Sequence, residues 1–127
     1  MENTKDNSSF ALRDNAEIGS VKIANDVIGM IGALAAMEID GVSAMAGNVT
    51  SEVLEKAGYK RLAKGVKVQL NGKQVGIELS LLMGYGYNIP ATSQKVQTRV
   101  KNTIENMTGL DVTDVNVRIA GITMPNN

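Results

Sequence analysis

The side chains available for chemistry in this sequence are carboxylates, lysines, tyrosines and hydroxyls, because its 127 residues include no histidine and no cysteine. Histidine is the side chain that titrates near neutral pH and serves most often as general base or metal ligand. Its absence, together with the absence of thiols, excludes histidine-based triads, cysteine zinc sites and iron–sulfur clusters. We therefore expect a protein that is not an enzyme, with no catalytic residue, no metal site and no cofactor.

Carboxylates come close together in sequence at three places, and acid–base or metal chemistry would have to use one of them. These pairs stand at predicted helix ends or on predicted solvated faces, where carboxylates are ordinary. No neighbouring residues create a setting in which one carboxyl group of a pair would act as an acid and the other as a base. We assign no catalytic or metal-binding role to Glu38 and Asp40, Glu52 and Glu55, or Asp111 and Asp114.

Residues 83–90, with the sequence MGYGYNIP, are the best candidate for a partner surface. Two glycines free the backbone, and Tyr85 and Tyr87 present largely apolar rings with polar tips, which often anchor interfaces. Asn88 and Pro90 complete the candidate surface. Loop formation, helix capping and cover for the core edge are nevertheless the commoner reasons for such residues. The segment lacks the G-x-x-x-x-G-K-[ST] pattern, so we expect no phosphate site.

Two predicted helices carry basic side chains at four-residue spacing. The more common reason for such a stripe is a solvated helix face, and the sharper hypothesis is contact with an acidic partner or with anionic headgroups. The formal net charge of the chain is zero, which disfavours nucleic acid as a partner. The candidate basic face consists of Lys56, Lys60, Lys64, Lys95 and Arg99.

The spacing of apolar residues and the positions of helix-capping residues predict the helices and strands in the first half of the chain. A short strand over residues 20–23 leads to Asn25, a preferred N-cap, and to a helix that Gly41 ends. Aliphatic residues recur at helical spacing on this helix, at Val27, Ile28, Ile31, Leu34, Ala35 and Ile39. A second face carries Gly29, Gly32, Ala33 and Ala36, and we expect an element of the same domain, rather than another subunit, to press closely on it. A short strand over residues 42–46 and a weaker helix over residues 51–62 follow.

A hairpin is the clearest local signal of the second half. Its strands are residues 65–70 and 74–83, joined by Asn71-Gly72, a dipeptide that favours a type I′ turn. A two-residue loop at this point predicts a fixed register: Val68 opposite Val75, and Val66 opposite Ile77.

A helix and a strand follow the hairpin. The helix begins near Ile89-Pro90, ends at Gly109 and carries an apolar stripe; a last strand then alternates between apolar and polar residues. The stripe consists of Val96, Val100, Ile104 and Met107, and the apolar strand positions are Val115, Val117 and Ile119.

Each predicted helix and strand has its apolar residues on one face. This pattern predicts a small single α+β domain, with an antiparallel or mixed sheet and helices packed on one face. We expect a disordered polar tail at residues 1–17, the domain at residues 18–123 and a short tail at residues 124–127. The beginning of the sequence has no secretion signal, and its longest apolar run is too short to span a membrane. The predicted exposed sheet face carries Lys67, Gln69, Glu78, Ser80, Asn116 and Arg118.

Four segments together resemble the alkaline shock protein and general stress protein family of Gram-positive bacteria. They are IGSVKIANDVIGMIGALAAMEIDGVSAM, KGVKV, GYGYNIP and VQTRVKNTIENMTGLDVTDVNVRIAGI, and the resemblance covers residues 18–122. Its most specific parts are residues 108–117 and the loop at residues 85–90, which agree in order and spacing.

The resemblance implies a non-enzymatic role in the cell-envelope stress response. Some members of the family are held at the membrane by a partner protein, some self-associate, and some are linked to fatty-acid synthesis through acetyl-CoA carboxylase. We therefore expect a cytoplasmic scaffold or adaptor that acts through protein–protein association, with self-association and a membrane-anchored partner. The alternative is a regulator that binds a metabolic enzyme such as acetyl-CoA carboxylase, which the short ends of the chain favour.

Overall fold

Two helices and four strands form a layer of helix on a layer of sheet in the computed structural model, which describes residues 21–46 and 65–125. The helix predicted over residues 51–62 and the tail predicted over residues 1–17 lie outside the described residues. In chain order the elements are α1 (Asn25–Met37), β1 (Val42–Met45), β2 (Val66–Asn71), β3 (Gln74–Gly84), α2 (Ile89–Thr108) and β4 (Asp111–Thr123).

Strand β3 is the centre of the sheet. Along one edge it pairs antiparallel with β2 over its first half and with β1 near its end. Along the other edge it pairs parallel with β4, from Gln74 opposite Asp111 to Gly84 opposite Thr123. The sheet is therefore mixed, and the α+β class predicted from the alternating patterns is confirmed.

The β2–β3 hairpin forms, but its predicted register is wrong by two residues. Asn71 pairs with Gln74, so the two-residue loop is Gly72-Lys73 rather than Asn71-Gly72. Gly72 has a φ of 63° and occupies the first central position, where both hairpin turn types need positive φ. The observed pairs are Val68 opposite Ile77 and Val66 opposite Leu79. A shift of two keeps every side chain on its predicted face.

Helix α1 turns its small residues toward the core, and the prediction that the same domain presses on them is confirmed. A methyl group at Gly29 would contact Val66 and Val68 of β2, and one at Gly32 would contact Val100 and Ile104 of α2. The larger residues of the aliphatic stripe are not all buried, since Val27 and Leu34 are 40% and 39% exposed.

The ends of α1 differ slightly from the prediction. Ala24, not Asn25, is the N-cap, and the helix ends at Met37, although Gly41 has the expected positive φ of 106° in the turn into β1. No strand forms at residues 21–23, where Val21 is 92% exposed and has no described strand beside it.

The inward face of β3 and the buried sides of α1 and α2 supply most of the core. The predicted stripe of α2 is confirmed at Val96, Val100 and Ile104, which are fully buried, but Met107, in the last turn of the helix, is 67% exposed. Gly109 ends the helix with a φ of 75°, as predicted. The inward residues of β3 are Val75, Ile77, Leu79, Leu81 and Met83.

The outward face of the sheet is polar. Lys67, Gln69, Asn116 and Arg118 are exposed as predicted, and Glu78 and Ser80 are half-buried between the flanking strands. Helices thus cover one face of the sheet, and the face toward solvent carries charges of both signs.

Candidate interaction surface at the carboxyl ends of the central strands

The candidate loop joins β3 to α2 at the place where the parallel strands β3 and β4 both end. Backbone hydrogen bonds hold it on two sides: Gly84 N–H donates to Gly41 C=O at 2.8 Å, and Tyr85 N–H donates to Thr123 C=O at 2.9 Å. The start of the loop is therefore bonded to the residue that precedes β1 and to the last residue of β4.

Tyr87 combines a packing role with an exposed ring. A Cβ at Gly41 would lie 2.9 Å from Tyr87 Cδ1, and one at Gly84 would lie 3.4 Å from Tyr87 Cδ2. The ring therefore packs on two glycines and covers the core edge, which the sequence had suggested as its commoner role. It is still 51% exposed.

Asn88 and Pro90 start helix α2. The Asn88 side chain accepts a hydrogen bond of 2.8 Å from Ala91 N–H, and Pro90 lies in the first turn, where its missing N–H is no loss. These two candidate residues therefore have local structural roles, whereas the two tyrosines keep accessible rings. A partner role for all four remains a prediction.

An apolar surface surrounds the tyrosines. Ten large apolar side chains are strongly exposed in the described residues, and five of them lie at this end of the sheet. Their grouping at one end of the sheet distinguishes them from apolar residues exposed singly, and grouped exposed apolar residues commonly mark an interaction site. We call it the tyrosine surface: Tyr85, Tyr87, Ile89, Ile122 and Met124, exposed by 64, 51, 43, 43 and 67%.

Sequence reasoning missed Ile122 and Met124 as parts of this surface. Thr123 pairs with Gly84, so Ile122 within β4 and Met124 directly after it flank the loop that carries the tyrosines. The parallel strands β3 and β4 that bring them there are separated in sequence by helix α2. No short-range sequence pattern therefore indicates the contact. Exposed apolar residues at the end of an alternating strand are the only hint in the sequence.

Beside the tyrosine surface lie the aliphatic hydroxyls of Ser43 and Thr123, which bond each other at 2.8 Å, and Ser43 Oγ also donates to Leu82 C=O. They have no basic partner among the described residues. Within residues 21–46 and 65–125, no three acidic, histidine or cysteine side chains come together as a metal site.

The described part of the candidate basic face lies on the outer side of α2. Arg99 forms a 3.2 Å ion pair with Glu38, and both side chains are more than half exposed. Lys95 lies one turn earlier on a surface of amides and hydroxyls. The other members, Lys56, Lys60 and Lys64, are outside the described residues. Their joint role as one face therefore stays a prediction.

A second polar cluster lies where α2 meets the start of β4. Glu105 accepts hydrogen bonds from Lys101 Nζ at 2.8 Å and from Val112 N–H at 3.0 Å. The bond from Lys101, followed by that from the Val112 amide, lowers the pKa of Glu105 below its ordinary value of 4.5. Lys101 also donates to Val112 C=O at 3.1 Å. The cluster fastens β4 to the helix.

Neither α1 nor α2, the helices of the described residues, combines the length and apolar character that crossing a bilayer requires.

Comparison with known proteins identifies relatives along most of the chain. It is 37% identical over 119 residues to the uncharacterized protein YqhY of Bacillus subtilis (strain 168), covering 93% of this chain and 88% of that one. It is 33% identical over 113 residues to protein YloU of the same organism, covering 85% and 92%. No solved structure gives a significant match.

A third relative carries a functional name. The chain is 27% identical over 123 residues to a stress response regulator gls24 homolog of Streptococcus pyogenes, covering 96% of this chain and 66% of that one. The profile of the alkaline shock protein 23 family, described as having a cell envelope-related function, matches residues 13–124. Because this profile matches most of the chain, the chain belongs to the alkaline shock protein 23 family.

Proposed function

We propose that this protein is a non-enzymatic adaptor of the cell-envelope stress response, which recruits a protein partner through the tyrosine surface. The observation that carries the proposal is the set of five exposed apolar side chains at the carboxyl ends of β3 and β4. The family's cell envelope-related function and the stress-regulator name of one relative support the cellular setting.

The composition of this surface supports protein association over catalysis. Tyrosine and methionine are enriched at interfaces, where a large ring or a flexible thioether is buried on binding. The backbone hydrogen bonds at Gly84 and Tyr85 hold the loop before the partner arrives. A preorganised loop loses less conformational entropy on binding than a free one.

A matched pair of methionines provides the test. Met124 belongs to the tyrosine surface and Met107 lies at the far end of α2, yet both are 67% exposed. Met124→Lys and Tyr85→Asp are expected to reduce crosslinked recovery of the partner from the native host at least about tenfold, as for an interface hot spot. Met107→Lys is expected to leave recovery unchanged.

Two results would contradict this proposal. One is equal partner recovery by Met124→Lys, Tyr85→Asp and Met107→Lys, which would remove the tyrosine surface from the interaction. The other is wild-type protein without an envelope or membrane protein among its crosslinked partners under every stress. Recovery of a metabolic enzyme such as acetyl-CoA carboxylase in its place would favour the regulatory alternative.

A further inference from the structure

Methionine supplies all the sulfur of this sequence, which has seven methionines and no cysteine. Peroxides oxidise sulfur side chains, and a cysteine thiolate is the usual first target in a protein that has one. Without a thiolate, the thioethers of methionine are the groups that a peroxide oxidises. Access to solvent then decides which methionine reacts.

The described methionines differ in their access to solvent. Met45 and Met83 are fully buried in the core, whereas Met107 and Met124 are each 67% exposed. The two methionines of α1 are half-buried against the core. A peroxide in solution therefore reaches the side chains of Met107 and Met124 most readily.

Met124 differs from Met107 in its surroundings. Tyr85 N–H donates to Thr123 C=O at 2.9 Å, so the backbone directly before Met124 is bonded to the tyrosine loop. Met107 lies in the last turn of α2, beside the exposed amide of Asn106. Of these two accessible thioethers, the one at Met124 belongs to the tyrosine surface.

Oxidation by hydrogen peroxide transfers one oxygen atom to the thioether. The sulfur attacks one peroxide oxygen, and the O–O bond breaks as the S–O bond forms. The departing hydroxide takes the proton from the new S–OH group, which releases one water molecule. Sulfur is oxidised by two electrons and the peroxide is reduced by two. The product, methionine sulfoxide, is polar where the thioether was apolar.

A sulfoxide at Met124 would weaken association through the tyrosine surface. Its oxygen would lose water when a partner covers it, and sulfoxides disrupt interfaces that contain methionine. A buried polar group that has no hydrogen-bond partner commonly lowers an association constant about tenfold or more. Methionine sulfoxide reductases restore the thioether, so the effect is reversible.

We propose that Met124 is a modification site for peroxides, and that its sulfoxide prevents partner binding at the tyrosine surface. The proposal rests on the adaptor function proposed above and adds a reversible control of the same surface. Its cosubstrate is a peroxide, and its reversal requires a sulfoxide reductase with a thiol reductant.

Mass spectrometry of the purified protein treated with hydrogen peroxide measures the modification without any partner. Met107 and Met124 are expected to be oxidised at comparable rates, and at least about tenfold faster than Met45 and Met83. If Met124 reacted as slowly as the two buried methionines, the proposal would be overturned.

Two variants that each retain one exposed thioether measure the effect on binding. Met107→Leu retains Met124, and Met124→Leu retains Met107, with little change of side-chain volume in either case. Before oxidation, both variants are expected to recover the same crosslinked partner from host extract as the wild type. After peroxide treatment, recovery by Met107→Leu should fall about tenfold, whereas recovery by Met124→Leu should be unchanged. Incubation of oxidised Met107→Leu with sulfoxide reductases for both epimers should restore its recovery.

The results distinguish failure of this proposal from failure of the adaptor function. Wild-type protein that recovers no partner before oxidation would refute the adaptor function, and this control with it. Undiminished recovery by oxidised Met107→Leu would leave the adaptor function standing and refute the control at Met124. Equal loss of recovery by oxidised Met124→Leu would assign the effect to another methionine and would also refute the proposal.

Discussion

Gly32 lies in the middle of α1 at its contact with α2, and its replacement by alanine is expected to stabilise the protein. A Cβ built there would lie 3.6 Å from Val100 Cγ1, 3.6 Å from Ile104 Cδ1 and 3.9 Å from Leu79 Cδ2. These are ordinary van der Waals distances. The helices therefore approach closely enough to exclude a large side chain, but a methyl group fits without displacing a neighbour.

The expected change in the free energy of unfolding has two contributions, and both are stabilising. Alanine is favoured over glycine in a helix interior by about 1 kcal/mol. The added methyl is buried, and a buried methylene-sized group contributes up to about 0.8 kcal/mol. Gly32→Ala should therefore raise the free energy of unfolding by about 1–2 kcal/mol, with a rise in Tm of several degrees. Gly32→Leu should lower it by about 1–3 kcal/mol, because the core is overpacked.

Urea denaturation followed by circular dichroism measures these changes, and Gly41→Ala is the contrasting control. Gly41 has a φ of 106°, and its Cβ would lie 2.9 Å from the ring of Tyr87. Alanine there should destabilise the protein by about 1–3 kcal/mol through backbone strain and displacement of the ring. If Gly32→Ala destabilised the protein as Gly41→Ala does, the inferred space between α1 and α2 would be wrong.

Two further predictions concern α2. The folded-state pKa of Glu105 lies below 4.5, so its contribution to stability is complete above that value and is lost as the pH falls through the lower folded-state pKa. Glu105→Gln should lack this part of the acid dependence in denaturation curves between about pH 5 and pH 2, and an unchanged dependence would contradict the assignment. Asn88→Ala removes the cap on Ala91 N–H and should destabilise the protein by about 1 kcal/mol, measurable by thermal unfolding, whereas Asn88→Asp should retain most of the stability.

Local patterns in the sequence predicted the elements well where one signal was sufficient. The apolar stripe of α2, its start at Ile89 and its end at Gly109 follow from spacing and from capping preferences. The hairpin is different, because two adjacent residues, Asn71 and Gly72, both suit positive φ. The turn is centred on Gly72-Lys73, and the resulting shift of two residues leaves the hydrophobic pattern unchanged. Pattern alone therefore could not choose the register.

The aliphatic stripe predicted on α1 is only partly buried, and the physical reason is different. Hydrophobicity ranks Val27 and Leu34 above Gly32 and Ala36 as core residues, yet the first two are exposed and the second two are buried. Close approach to α2 and β2 decides which face turns inward, and small residues permit the shorter distance between elements. Residue size was therefore a better indicator of the buried face than hydrophobicity.

The interaction surface could be predicted only in part, because it is assembled across the chain. The tyrosine loop is continuous in sequence. Ile122 and Met124 reach it through the parallel pairing of β3 with β4, two strands that α2 separates in sequence. Parallel pairing requires a crossover, which separates its strands in sequence. The spacing of residues within one segment therefore cannot show which residues meet at the carboxyl ends of β3 and β4.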